Sequence, residues 1–185
     1  MMRPQISDPD VGMLASIAGG LQSDYQEDDN AWEGSPFAWI KSRPSRQVGK
    51  IGEQLVAGWC AAKGLDVIGS GDSQCDRVIG GLRTETKFST LWKNGGYKFQ
   101  QFRDQNYQLA ICLGVSPFDA HCWVITKELL RAHVIGHTPQ HGGMSGTDTA
   151  WLSLTPTDVP DWLRPCGGRL SQAFPVLLDL SRRNN

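Results

Sequence analysis

Residues 74–88 read Gln74-Cys75-Asp76-Arg77-Val78-Ile79-Gly80-Gly81-Leu82-Arg83-Thr84-Glu85-Thr86-Lys87-Phe88. Two β-prone runs flank the pair Gly80-Gly81, the pattern of a hairpin with a two-residue turn. The turn dictates the pairing. Ile79 faces Leu82, Val78 faces Arg83, Arg77 faces Thr84, and Asp76 faces Glu85. Directly opposed side chains lie on one face of the ladder, with Cβ atoms about 4.5–5.5 Å apart. Strand side chains alternate, so Lys87 shares the face of Glu85. One face of this hairpin is therefore expected to carry Asp76, Glu85 and Lys87 together.

Two opposed carboxylates repel, and in a purely structural hairpin they would destabilise. A divalent cation removes the conflict. Two carboxylates, one carbonyl (Thr86 is the natural candidate) and water suit Mg²⁺, which takes few protein ligands and keeps water. A lysine beside them can orient an attacking water or stabilise developing phosphate charge. That combination serves phosphodiester hydrolysis.

Outward from the hairpin, Val48, Ile51, Leu55, Val56 and Trp59 recur at helical spacing, which predicts a helix over 45–63 stopped by Gly64. A short strand is expected over 65–68. Residues 91–98 read as a polar loop containing Trp92, Lys93 and Lys98, and 99–105 as one or two helical turns. Residues 108–115 (QLAICLGV) are almost wholly apolar, hence a buried central strand. Further strands are expected over 121–126 and 150–154, a helix over 127–133, and a loop rich in Gly, His and Thr over 137–149. The mixture predicts an α/β fold with a mixed sheet.

The N-terminal head, residues 1–40, is different in character. Asp10 is expected to cap a short helix reaching Leu21, and 23–36 reads as an acidic linker. Residues 1–34 carry a net −6, whereas 35–185 carry +5. A basic body can approach a polyanion and the acidic head would not. The chain has 185 residues and five widely spaced cysteines with no CxxC, which argues against a disulfide framework or a zinc finger and fits a reducing cytoplasm. No apolar run is long enough to span a membrane, and the N-terminus shows no secretory signal.

Asp76 followed by Glu85-Thr86-Lys87 resembles the PD-(D/E)xK nuclease superfamily, which includes most type II restriction endonucleases; Cys75 stands where the motif name has proline. Gly49-Lys50-Ile51-Gly52-Glu53 is similar to that superfamily's first core helix, with Glu53 matching its additional acid. The segment 99–111 is similar to a Phe-x-Gln-Ile-Arg-type helix leading into the next core strand, with Gln101 the match for its glutamine and Gln100 the fallback. His137 to Gly143 is loosely similar to restriction-type members. The resemblance spans roughly 45–155.

It implies a restriction-endonuclease-like core over 41–185, a mixed central β-sheet flanked by helices. It also implies a Mg²⁺-dependent endonuclease cutting a specific double-stranded DNA site as a homodimer. Asp76 and Glu85 would hold the metal, with Thr86 and with Glu53 completing the site. Lys87 would assist the attacking water and Gln101 would help position it. Attack would be in line, leaving a 5′-phosphate and a 3′-hydroxyl. Lys93, Lys98 and Arg103 would rim the cleft as phosphate contacts, Trp92 would meet a base or sugar, and Gln140 and His141 would reach the DNA from their loop. Two other readings stay open: a phage, repair or junction-resolving nuclease that reads DNA structure, and an inactive DNA-binding module of the same fold.

Overall fold

The structure, a computed structural model, describes residues 5–139 and 149–184. In chain order its elements are α1 (Pro9–Ala31), α2 (Ala38–Lys41), α3 (Ser45–Ala62), β1 (Val67–Gly69), β2 (Arg77–Ile79), β3 (Leu82–Thr90), β4 (Tyr97–Phe102), β5 (Leu109–Val115), β6 (Ala120–Thr126), α4 (Lys127–His133), β7 (Ala150–Leu154), a 3₁₀ turn (Arg164–Cys166), β8 (Gly167–Arg169) and α5 (Leu170–Asn184). A mixed α/β fold with a central mixed sheet results. Strand order in that sheet is β1-β2-β3-β5-β6-β8, with β3 and β5 parallel and the other neighbours antiparallel.

Strand β5 shows how the layers are made. All its residues are buried, and they alternate between two cores. Leu109, Ile111 and Leu113 pack with Val56, Cys60, Ala173 and Leu177 of α3 and α5. Ala110 and Cys112 pack instead with Tyr97, Phe99 and Phe102 of β4, Leu152 and Leu154 of β7, and Leu130 of α4. Helices cover one face, and a two-stranded β4–β7 ribbon with α4 covers the other.

Helix α3 buries Gly52, Val56 and Cys60, one residue per turn on a single stripe. Gly52 sets its distance from the sheet. A Cβ there would lie 2.3 Å from the Cβ of Phe88, so only a glycine lets the helix come down on β3 and carry Glu53 to the sheet's end.

The hairpin pairs as its turn demands: Ile79 with Leu82, Val78 with Arg83, Arg77 with Thr84. Both turn glycines have positive φ, at 55° and 80°. The ladder ends there, and the fourth pair is replaced by something else. The Asp76 N–H donates to the Thr84 carbonyl at 3.0 Å, and the Thr86 N–H donates to Asp76 Oδ2 at 2.7 Å. The carboxylate thus takes the place of a strand partner on the edge of β3 that β2 leaves uncovered.

Two expectations fail. The segment 99–105 is not helical; β4 is a strand paired with β7. Phe99 and Phe102 are three apart, a helical interval, yet both are buried because the register shifts between them. The head is also more helical than expected, since α1 runs through Ala31 across the segment expected to be a linker. Its N-terminal cap is Asp8, whose Oδ1 accepts the Asp10 N–H at 2.9 Å; Asp10 lies inside the helix. The apolar Val11, Met13, Leu14, Ile17 and Leu21 of α1 are all exposed. Trp32 and Ile40, by contrast, are buried. All five cysteines are unpaired and buried, and among the described residues no helix is long and apolar enough to cross a membrane.

Candidate active site

A cavity of about 600 Å³ opens along the uncovered edge of β3. The strand itself contributes Glu85 to Thr90, the β2 approach contributes Asp76, α3 contributes Glu53, and β4 contributes Lys98, Gln100 and Gln101. Asp76, Glu85, Lys87, Glu53, Thr86 and Gln101 are therefore brought to one place from four separate elements.

Lys87 is held from three sides. Its Nζ donates to Glu85 Oε1 at 2.6 Å and to the Gln101 carbonyl at 2.9 Å, and lies 5.5 Å from the Phe102 ring centroid. Both partners of the ion pair are largely withdrawn from solvent, with side chains 12% and 13% exposed. Gln101 is the single non-glycine residue with positive φ among the described residues, at 60°. A left-handed residue there is uncommon and costs energy that the surroundings must offset. It coincides with the β4 irregularity, and the carbonyl that results points to Lys87. Gln101 thus meets the site through its backbone, a contact no reading of its side chain would find.

Asp76 carries the electrostatic signature of the site. Burial, then the Glu85 carboxylate, push its carboxyl up to about 6; Glu53 adds in the same direction, while the Thr86 N–H and Lys87 oppose. A proton or a cation relieves that crowding. Among the described residues no cluster of three or more His, Cys, Asp and Glu forms a metal cage. The pair Asp76 and Glu85, with Glu53 ion-paired to Lys50 at 2.7 Å, is instead a sparse oxygen donor set. A donor set of that kind is one that Mg²⁺, which takes few protein ligands and keeps most of its water, would accept. The Thr86 hydroxyl beside it is buried with no hydrogen-bond partner.

Cations line the cavity as well. Lys41, Arg43 and Lys98 contribute to it, together with Ser45, Val48 and Gly49 from the first turns of α3. A helix N-terminus beside cations favours an anion. Neither Lys41 nor Arg43 is among the expected DNA contacts. The available signal was their position directly before the start of α3.

The fold has a solved counterpart. This chain is similar to the bacterial homing endonuclease I-Ssp6803I. The TM-score is 0.51 at 16% sequence identity, over 76% of this chain and 96% of that one. At that identity the likeness is one of fold. No protein-family model matches the chain, and no curated protein sequence matches it either.

Of the expected DNA contacts, Trp92 and Lys98 line the same cavity as the carboxylates, and Lys93 lines an adjoining one. Arg103 does not line either. It lies just past the end of β4, exposed, where the chain turns toward Tyr107, whose hydroxyl donates to its carbonyl. Gln140 and His141 lie outside the described residues.

Proposed function

We propose that this protein is a Mg²⁺-dependent DNA endonuclease, of the restriction type, that cuts a specific double-stranded site. The observation that carries the reading is the mixed lining of one cavity. Carboxylates Asp76 and Glu85 stand beside a fixed lysine, and cations Lys41, Arg43 and Lys98 line the same cavity. The fold shared with an endonuclease supports it.

Asp76 and Glu85 would hold the cation, with Glu53 completing the set and the Thr86 carbonyl beside them. Bound Mg²⁺ would supply positive charge against the phosphate oxygens. The protein's own groups do the rest. Lys41, Arg43 and the α3 N-terminus seat the phosphate chain. Lys87, held between Glu85 and the Gln101 carbonyl, orients the water that attacks phosphorus and stabilises the charge that develops. The P–O3′ bond breaks opposite the attack. The products are a 5′-phosphate and a 3′-hydroxyl, the proton shed by the water balancing the one gained by the 3′ oxygen.

The test is a plasmid digest with Mg²⁺ beside one with EDTA. Discrete bands with Mg²⁺ alone are the expected outcome. An uncut plasmid, methylated or not, sinks the site-specific reading, and cutting confined to branched DNA assigns the site to a structure-reading nuclease.

Cutting both strands of a palindromic site calls for a two-fold pair. The exposed Val11, Leu14 and Leu21 on α1 are apolar groups a partner would cover. Light scattering is expected to give twice the 20.3 kDa chain mass.

Gln101 separates backbone from side chain. Glycine takes φ of 60° freely, so Gln101→Gly is expected to lose less than about threefold in cutting rate. Gln101→Val is β-branched and disfavours that backbone; it is expected to lose about tenfold or more in kcat with KM unchanged. The reverse order in single-turnover digests assigns the role to the side chain.

A further inference from the structure

Strand β3 keeps a neighbour to its end on one side and loses it early on the other. Parallel β5 runs beside it from Thr84 to Thr90, whereas β2 pairs with it only from Leu82 to Thr84. In a strand the N–H and carbonyl of one residue point to the same side, and successive residues alternate. The observed bonds fix the alternation. On the β5 side, the Arg83 carbonyl accepts the Gln108 N–H at 2.8 Å and the Leu91 N–H donates to the Val115 carbonyl at 2.9 Å. On the β2 side, the Thr84 carbonyl accepts the Asp76 N–H and the Thr86 N–H donates to Asp76 Oδ2. Odd-numbered residues of β3 therefore serve β5. The Phe88 N–H points out from the uncovered edge, into the cavity that Glu85 to Thr90 line.

This stretch of edge is engaged at both ends. Asp76 takes the Thr86 N–H, and the Thr90 carbonyl accepts the Ser89 hydroxyl at 2.9 Å. A peptide strand adding to the sheet would need both groups, so the opening is too short for one. Between them the Phe88 N–H stands two residues, about 7 Å, beyond the amide that holds Asp76. Packing of Phe88 against Gly52 of α3 fixes its residue in place. Positive charge is close by. The Lys98 N–H donates to Ser89 Oγ at 3.0 Å, which brings β4 against this edge, and Lys98 lines the same cavity as Phe88.

A backbone N–H fixed in direction on an uncovered strand edge is a donor for an anion's oxygen, and such amides are regular phosphate contacts. A phosphate engaged at Asp76 has the Phe88 N–H as the next donor along the edge. We propose that the Phe88 N–H donates to a non-bridging oxygen of the scissile phosphate. The inference rests on the nuclease reading and adds a contact to it: a neutral donor that meets the phosphate and not the base. Because this donor is part of the sheet, it need not reorganise as charge grows on that oxygen in the transition state.

The full chain labelled with ¹⁵N in phenylalanine alone gives six amide signals, one for each Phe. In EDTA, where nothing is cut, it is titrated with a mixed-sequence DNA duplex. The Phe88 amide proton is expected to move downfield and to exchange more slowly, while the signals of the buried Phe99 and Phe102 stay in place. A backbone ester measures the contact. Phenyllactate at position 88 keeps the ring and removes the N–H. It is expected to bind the duplex about tenfold more weakly and to cut about tenfold more slowly in single turnover. The slope of log affinity against log salt is expected to stay unchanged, because no charge is lost. Glycerate at position 89 instead removes an N–H from the ladder with β5; it is expected to melt lower and yet to bind as wild type does. A Phe88 amide unmoved at saturating duplex overturns the proposal, as does an ester at 88 that binds and cuts within about twofold of wild type. Wild-type plasmid cutting is read separately. Cutting with an indifferent Phe88 amide removes the contact and leaves the nuclease, whereas a duplex-dependent shift without cutting removes the nuclease and leaves a phosphate-binding groove.

Discussion

Lys87→Ala is expected to lower Mg²⁺-dependent cutting about 10³-fold, within the range for a positioned proton-transfer or charge-stabilising group. The magnitude rests on how closely the ammonium is held. Glu85 Oε1 lies 2.6 Å away, the Gln101 carbonyl 2.9 Å away, and the side chain is 12% exposed. An exposed lysine would be worth far less, since surface ion pairs contribute little. The substitution also leaves Glu85 beside Asp76 with its nearest cation gone. Breaking a largely buried pair by removing one partner destabilises, so the variant is expected to melt lower in EDTA and to regain part of that loss when Mg²⁺ is added. Lys87→Arg keeps the charge, but its planar fork does not match two acceptors set for one ammonium, and it is expected to lose most of the rate as well. Rates come from single-turnover digests and folding from thermal melts. A Lys87→Ala protein that cuts within tenfold of wild type would remove this residue from the mechanism.

Asp76→Asn is expected to abolish cutting and yet raise the stability of the metal-free protein at pH 8. Burial and the neighbouring Glu85 push the Asp76 carboxyl up to about 6, against 3.8 ordinarily. The folded state therefore holds this proton more tightly than the unfolded state does. Its contribution to stability is complete below pH 4 and is lost as pH rises through 6. With solvent screening discounted, the loss is on the order of 1–2 kcal/mol. Asparagine is neutral at every pH and retains an oxygen to accept the Thr86 N–H, so it escapes that loss. For cutting the sign reverses, because a cation needs the ionised carboxylate. The rate is expected to fall about tenfold per pH unit on the acid side, with a midpoint that moves lower as Mg²⁺ is raised. Melts in EDTA at pH 5 and pH 8, and pH–rate profiles at two Mg²⁺ concentrations, check both halves. An Asp76→Asn protein that melts below wild type at pH 8, or a midpoint indifferent to Mg²⁺, contradicts the assignment.

What could be read from the residues was local. Gly80-Gly81 admits a two-residue turn, the turn sets the register, and alternation then places Glu85 and Lys87 on one side of β3. Each step involves neighbours a few bonds apart, so no knowledge of the rest of the chain is needed. The buried strand over 108–115 and the helix over 45–63 are legible for the same reason, as is the α/β class that follows from them. Where the local pattern misleads, a distant partner is the cause. Phe99 and Phe102 sit at a helical interval, but pairing with β7 makes the segment a strand, and an irregularity at Gln101 turns both rings inward. That backbone turn also aims a carbonyl at Lys87, a contact between residues fourteen apart that no periodicity encodes. Lys41 and Arg43 belong to no motif, and they join the cleft only once α3 docks on β3 through Gly52. Motif and register are properties of the hydrogen-bonding pattern along one stretch of chain. The bulge and the cavity that brings carboxylates and cations together exist only once separate stretches are packed against one another.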